Sequence, residues 1–179
     1  MLRIDRGGAH FRVCKPDWAN CGDLSHAKAH GGRWNPKGEF GALYLNATVA
    51  VAAAQARHQH VGRAIGLFDL RPERRPLLAT YEVPLSSVVD AVTAAGIAAL
   101  GLLSEAPIGV SHEDCRPASR EAHHSGLAGV GCRSAAEARV GSFVGEELAY
   151  FDSQAALTVL ILRPFAQWYP DQIPVRTSK

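Results

Sequence analysis

The sequence predicts a single α+β domain, built mainly from antiparallel sheet with a few helices. A length of 179 residues fits one domain, and the 47% hydrophobic and 20% charged residues are close to the globular average. Candidate strands and helices mix without regular βαβ alternation. No glycine-rich phosphate loop of the form GxGxxG or GxxxxGKS/T follows a strand, so dinucleotide-binding and P-loop folds are disfavoured.

The predicted elements are, in chain order, a short strand at 11–13, a loop at 15–37, a strand at 41–45, an alanine-rich helix to about 60, a strand at 77–85, a helix at 88–103, a connection at 104–125 that contains Cys115 and the pair His123-His124, and strands at 127–132, 148–151 and 157–162.

The clearest strand-to-helix step lies in the first half of the chain. Residues 41–45, with the sequence GALYL, form an apolar run typical of a buried strand. Asn46 or Thr48 can accept hydrogen bonds from the free N–H groups of the alanine-rich helix that follows. The polar loop before this strand is long for a compact domain, and such loops are usually functional or disordered.

The second half of the chain combines one further helix with short strands. Two serines after Pro84 predict the cap of the helix at 88–103. The strand at 157–162 is almost wholly apolar and is therefore expected at the centre of the sheet. The tail at 164–179 has no periodicity, and its last residues are expected to fray. Together these elements predict one domain with a core at about 11–162.

Charge and segment composition exclude two classes of function. The nineteen Lys and Arg against seventeen Asp and Glu give a net charge of +2, too small for a dedicated nucleic-acid binder. An alternative basic site at Arg71, Arg74 and Arg75 lies in a short proline-containing loop, which is more typical of a solvated turn. The longest weakly polar run, at 91–103, is shorter than the roughly 20 apolar residues of a spanning helix. We therefore expect neither direct nucleic-acid binding nor a membrane anchor.

Cysteine usage indicates a reducing compartment. The four cysteines form no CxxC motif, and the N-terminus lacks the apolar core of a secretory signal, so a cytoplasmic protein is expected. Cys14, Cys21, His26 and His30 could be arranged as a zinc site. The gap of six residues between the cysteines is unlike the short gaps of such sites, so no metal is expected.

The segment GGRWNP at 31–36 and the strand after it hold two candidate ligand-binding residues. Paired glycines allow close approach of a ligand, and the Arg33 fork matches the oxygens of a pyrophosphate. The alternative is a glycine-rich turn with a solvated or ion-paired arginine. Tyr44 points away from its apolar neighbours and can stack on an aromatic ring, although half-buried strand tyrosines are common.

Two further polar residues lie at less specific positions. Gln55 is two turns into the alanine-rich helix, where its amide can bind a hydroxyl or lie at the surface. Ser134 follows the strand at 127–132 at the start of a predicted helix, where it can cap the helix or bind a ligand. No GxSxG motif surrounds Ser134, which disfavours acyl transfer.

Taken together, the ordered motifs FRV, GGRWNP, LYL, the alanine-rich helix, CRS and LAYF resemble the RES-domain toxins, a family named for an Arg, a Glu and a Ser. The resemblance extends from about residue 11 to 162 and implies a fold related to ADP-ribosyltransferases. It implies a toxin of a bacterial toxin–antitoxin pair that consumes NAD, by glycohydrolysis, phosphorolysis or ADP-ribosyl transfer. It also implies a heteromeric complex with a cognate antitoxin, which has a DNA-binding helical domain and covers the active site.

The resemblance also implies roles for individual residues. Arg12 and Arg33 match the arginines of the NAD pocket, Tyr44 the ring-stacking tyrosine, and Ser134 the family serine. The family glutamate falls on Gln55.

The glutamine matters because cleavage of the nicotinamide–ribose bond builds positive charge on the sugar, which a carboxylate stabilises. Three explanations fit Gln55: an engineered attenuation, a different acceptor chemistry, or another carboxylate such as Glu137 or Glu146. The acceptor of the ADP-ribosyl group, whether water, phosphate or a protein target, stays open. The alternative function is a catalytically silent module that binds NAD or only the antitoxin.

Overall fold

The computed structural model describes residues 1–139 and 141–169, so the last ten residues of the predicted tail lie outside the described part. The elements within it are β1 (Arg3–Cys14), α1 (Ser25–His30), β2 (Ala42–Asn46), α2 (Val49–His58), β3 (Leu77–Ala91), α3 (Ala94–Ala99), α4 (His112–His124), β4 (Gly129–Arg133), β5 (Ala138–Arg139), β6 (Ser142–Phe143), β7 (Glu146–Phe151), β8 (Val159–Arg163) and α5 (Phe165–Trp168). Two single 3₁₀ turns lie between α2 and β3.

Six strands form one mixed sheet in the order β1-β2-β7-β4-β3-β8. β1 also pairs with β3 along nearly its whole length, so β1, β2, β7, β4 and β3 close a ring of pairings. The β3–β4 pairing is parallel, and the other pairings of this sheet are antiparallel. The predicted class, α+β with mainly antiparallel sheet, is confirmed.

Three buried clusters pack around this ring. The first lies between the outer face of β4 and β7 and the helices α3 and α4, and it includes Trp34 and Phe151. The second joins the inner faces of β2, β3 and β7. The third packs α2 and α5 against β1 and β3, with Trp168 only 2% exposed. The alanines of α2 suit this position because small side chains allow a helix to approach a sheet closely.

Two predictions from the first half are corrected in detail. β1 begins at Arg3, eight residues before the predicted strand, because it pairs with β3 through an irregularity between Arg6 and Gly8. A glycine with φ +81° and the neighbouring charges obscure this strand in the sequence. The predicted loop at 15–37 contains the short helix α1.

The cap of α2 is Thr48, whose side chain accepts a hydrogen bond from the N–H of Val51.

The predicted helix at 88–103 is wrong. Val88, Val89 and Asp90 continue β3, where β-branched side chains pair with β1 and β4 and are buried. The helix that exists, α3, is only six residues long and is capped by Thr93, not by the two serines.

The predicted connection at 104–125 is also wrong, because it contains the 13-residue helix α4. Cys115 and the pair His123-His124 therefore lie on a helix and not in a loop. A capping box between Ser111 and Asp114 begins this helix.

The strand at 157–162 is not central. β8 pairs with β3 only and lies at the edge of the sheet, with Leu160, Ile161 and Leu162 exposed by 58%, 55% and 49%. Its apolar composition suggested a buried, central strand. In the sheet, β8 pairs with one part of the β3 edge, and β4 pairs with another part of the same edge.

Candidate active site

Neighbouring strands align a row of polar side chains on one face of the sheet. Glu147 on β7 lies directly opposite Asn46 on β2 and opposite Cys132 on β4. Directly opposed residues point to the same face, so these three side chains are neighbours. Tyr44 lies two residues before Asn46 and shares the face. Polar groups from three strands thus meet beside the first buried cluster.

The GGRWNP loop is held on this face by Tyr44. The Tyr44 hydroxyl donates to Oδ1 of Asn35 and accepts from the N–H of Trp34, both at 2.9 Å. Asn35 is fully buried and donates to the carbonyls of Ala27 and Phe40. Burial raises the pKa of Tyr44, so the phenol stays protonated and can serve both partners.

Gly32 permits the close approach between the loop and the tyrosine. A Cβ at this position would lie 2.4 Å from the Tyr44 hydroxyl and 2.7 Å from Oδ1 of Asn35. A side chain there would displace the loop or the ring, which explains the physical need for the second glycine of the motif.

An open cleft of about 530 Å³ lies next to Tyr44, within the size range of small-molecule sites. Its lining residues are Arg12, Asp17, Trp18, Ala19, Asn20, Asp23, His26, Ala27, His30, Gly31 and Tyr44. The predicted long loop therefore forms most of the wall of a cleft, and Arg12 enters it from β1.

Arg12 is a basic group of this cleft with unused hydrogen-bonding capacity. Its Nη1 is buried and has no hydrogen-bond partner among the described residues, and its guanidinium carbon lies 5.3 Å from the centre of the Trp18 ring. A buried donor without a partner costs free energy that an anionic ligand can recover. Arg12 and Tyr44 are the two predicted ligand residues that share the cleft.

Arg33 lies beside this cleft and does not line it. Its Nη1 donates to the carbonyl of Val110 at 3.0 Å and lies 4.0 Å from the Cys115 sulfur. Its positive charge still reaches the polar row, where it lowers the pKa of Glu147 in opposition to burial.

Ser134 makes a hydrogen bond that the sequence did not suggest. No helix begins after it, because the following residues form a turn into β5, so the capping role is wrong. The fully buried Ser134 hydroxyl donates to Oε1 of Glu147 at 2.6 Å. Burial raises the pKa of Glu147, and this hydrogen bond and Arg33 oppose the rise.

Gln55 lies on α2 close to the same row. Its Oε1 accepts from Nδ2 of Asn46 at 3.0 Å, and that Nδ2 also donates to the carbonyl of Phe11. Asn46 thus connects Gln55 to β1, while Asn46 itself lies opposite Glu147.

The two alternative carboxylates considered from the sequence lie elsewhere. Glu146 points to the other face of β7 and makes an ion pair with Arg6. Glu137 lies 4.0 Å from Arg57.

Sequence reasoning missed Glu147. The alternation in EELAYF does indicate that Glu147 shares a face with Ala149 and Phe151, and both of these are buried in the first cluster. What the alternation cannot show is that Ser134 and Asn46 lie next to it, because both contacts depend on the register between strands.

The four residues considered as zinc ligands are not brought together. Cys14 and Cys21 are buried, whereas His26 and His30 are exposed on α1. Across 1–139 and 141–169, no three His, Cys, Asp or Glu side chains are grouped as metal ligands. None of the helices in these two ranges is both long and apolar enough to cross a membrane.

The fold and the site define an α+β domain with a cleft of small-molecule size between the loop at 15–37 and one sheet face. The family model described as "RES domain" matches residues 9–168, so the chain belongs to the RES domain family. This finding confirms the resemblance predicted from the GGRWNP and LYL motifs.

A solved structure shows the same fold. A chain of the crystal structure of the M. tuberculosis MbcT–MbcA toxin–antitoxin complex superposes with a TM-score of 0.76 at 18% sequence identity. The match covers 93% of this chain and 91% of that chain. Comparison with curated proteins gave no match.

Proposed function

We propose that this RES domain is the toxin of a toxin–antitoxin pair and that it consumes NAD by cleaving the nicotinamide–ribose bond. Family membership and the fold shared with a chain of a toxin–antitoxin complex support the setting. The observation that carries the chemistry is the cleft in which a buried Arg12 donor, without a partner in ranges 1–139 and 141–169, lies beside Tyr44. Residues 1–179 act as one RES-like domain in this proposal.

Each site residue has a role in this proposal. Arg12 binds the diphosphate, and Arg33 adds positive charge from the adjacent loop. Tyr44 stacks on nicotinamide, since its hydroxyl is already bound by Asn35 and Trp34 and only its ring is available. Ser134 binds the ribose or the amide, and Gln55 occupies the position of the family glutamate.

The reaction breaks the bond between the ribose C1′ and the nicotinamide nitrogen. The bonding electrons leave with nicotinamide, which becomes neutral, and the ribosyl group becomes cationic. An oxygen of water, phosphate or a protein side chain then bonds to C1′. NAD is therefore a substrate and not a resident cofactor, and no step requires a metal.

The partner in this proposal is a cognate antitoxin with a DNA-binding helical domain. We expect the antitoxin to cover the mouth of the cleft, so antitoxin and NAD compete. Linkage requires the competition to be mutual. A complex that binds NAD as tightly as the free chain does would contradict the covering role.

A second candidate function is a silent module that binds NAD or only the antitoxin. It is favoured by Gln55, an uncharged side chain whose carbonyl is already bound by Asn46.

Release of nicotinamide from NAD by the purified chain tests the proposed function. The chain should release nicotinamide, and Arg12→Ala should weaken NAD binding at least tenfold while the fold is retained. Arg71→Ala, a solvent-exposed arginine that does not line the cleft, is the matched control. Binding of NAD without release by the chain or by its Gln55→Glu variant would favour the silent module.

A further inference from the structure

We propose that Glu147, and not Gln55, supplies the carboxylate of the reacting centre and accepts the proton of the attacking acceptor. This inference rests on the proposed function and assigns a residue that the Arg–Glu–Ser pattern does not contain. It is based on three relations of Glu147. The carboxylate accepts a hydrogen bond from Ser134, the residue lies opposite Asn46 on the neighbouring strand, and the charge of Arg33 lowers its pKa.

Glu147 lies close to the position of Gln55. Asn46 lies directly opposite Glu147, and opposed residues of antiparallel strands have Cβ atoms roughly 4.5–5.5 Å apart. Asn46 donates to Gln55. A single side chain therefore separates Gln55 from Glu147, and a carboxylate on β7 can serve the same region as one on α2.

Ser134 is the donor in its hydrogen bond with Glu147. The serine hydrogen is committed to Oε1 of Glu147, so the lone pairs of its oxygen remain for a donor from the ligand. Glu147 thereby orients the family serine as an acceptor. The backbone N–H of Ala135 also favours the ionised form of the Glu147 carboxylate.

The surroundings of Glu147 combine positive charge with burial. Arg33 and His58 favour the ionised form of Glu147, while burial and the neighbouring Cys132 and Tyr44 provide a weakly polar surrounding. A carboxyl in such a setting attracts developing positive charge more strongly than one in water. It also accepts a proton more readily than an exposed glutamate does.

The reaction transfers the ribosyl group from nicotinamide to the acceptor oxygen. The C1′–N bond breaks with its electron pair on nicotinamide, and the acceptor oxygen forms the new bond to C1′. The acceptor's proton moves to the Glu147 carboxylate, which returns it to solvent after the product leaves. With water as acceptor, the products are nicotinamide, ADP-ribose and one proton.

Glu146 provides a matched control because it is the adjacent glutamate on the opposite face of the same strand. Its carboxylate makes an ion pair with Arg6, away from Ser134 and Asn46. Glu146→Gln therefore makes the same chemical change one residue away without touching the polar row.

The test compares nicotinamide release and NAD affinity in five proteins: the wild type, Glu147→Gln, Glu146→Gln, Gln55→Glu and Gln55→Glu/Glu147→Gln. Glu147→Gln should lower kcat about 10²–10³-fold with little change in the Kd for NAD, as expected when one electrostatic group is lost. Glu146→Gln should stay close to wild type. The double variant should recover activity, because its carboxylate returns on α2.

Two further measurements exclude a purely structural role. The dependence of kcat on pH should show an acidic limb in the wild type that is absent in Glu147→Gln. Glu147→Asp, which keeps the charge but shortens the reach to Ser134, should retain more activity than Glu147→Gln.

The outcomes separate this inference from the proposed function. If Glu147→Gln and Glu146→Gln release nicotinamide equally fast, Glu147 is not the carboxylate. If the wild type is inert and Gln55→Glu is active, the NAD site stands and the assignment of Glu147 is overturned. If none of the five proteins binds or cleaves NAD, the proposed function fails and this inference fails with it.

Discussion

At the scale of single residues, the site is built from hydrogen bonds that commit each polar atom to a direction. Tyr44 holds the GGRWNP loop, and Ser134 gives its hydrogen to Glu147. Arg12 Nη1 and Asn46 Oδ1 are exceptions, because these buried atoms have no hydrogen-bond partner among the described residues. Of the two, only Arg12 is a donor, and it lines the cleft. This unused donor of Arg12 indicates an anion-binding position more directly than any sequence motif does.

The buried charge of Glu147 predicts a specific dependence of stability on pH. Burial raises the pKa of the folded-state carboxyl above that of an unfolded glutamate, about 4.3. The folded state therefore holds the proton more tightly, and the wild type loses stability as the pH rises through the folded pKa. Glu147→Gln carries no charge and keeps a carbonyl for Ser134, so it should be more stable than the wild type at pH 8.

Urea denaturation at pH 8 and below pH 4 measures this effect. The stabilisation should vanish at the lower pH, where the wild-type carboxyl is neutral in both states. Glu146→Gln should show no stabilisation at pH 8, because it loses an ion pair with Arg6. A Glu147→Gln variant that is less stable than the wild type at pH 8 would contradict the destabilising charge.

At the scale of elements, the local sequence was sufficient to predict a strand and the helix after it where a clear N-cap residue separates the two. The strand β2 and the helix α2 were predicted because an apolar run is followed by Thr48 and a row of alanines. α4 was missed because its buried residues are small or polar, Cys115, Ser119 and Ala122, and because Pro117 lies inside it. Its amphipathic pattern has no large apolar side chain to mark the buried face.

The capping box of α4 gives a prediction at this scale. The Ser111 side chain accepts from the N–H of Asp114, and the Asp114 carboxylate accepts from Ser111. Ser111→Ala should therefore lower the free energy of unfolding by about 1 kcal/mol, measured by urea denaturation. Ser111→Thr should restore most of the loss. An unchanged denaturation midpoint in Ser111→Ala would show that the box does not hold this helix.

At the scale of the whole molecule, sheet pairing decides which apolar segments are buried. The sequence predicts the class, the strand β2 and the family motifs, because these depend on composition and local spacing. It does not predict that β8 is an edge strand, because the position of β8 depends on which part of β3 is already paired. The proximity of Glu147 to Ser134 is hidden for the same reason, since strand register brings the two together.

Two leucines on different strands test this ring arrangement. Leu148 on β7 is 1% exposed inside the second cluster, whereas Leu160 on β8 is 58% exposed. Leu148→Ala should lower the free energy of unfolding by about 2–5 kcal/mol. Leu160→Ala should change it by no more than about 0.5 kcal/mol in chemical denaturation. Equal losses in the two variants would show that β8 is buried.

The most direct test of the central claim is a crystal structure of the chain with NAD bound. We expect the diphosphate within hydrogen-bond distance of Arg12 Nη1 and the nicotinamide ring on the face of Tyr44, with its ribose towards Ser134 and Glu147. A separate cavity of about 400 Å³, lined by Lys15, Arg63 and Arg74 among others, offers the dinucleotide a basic alternative. NAD bound in that cavity, with the cleft beside Tyr44 empty, would contradict the account.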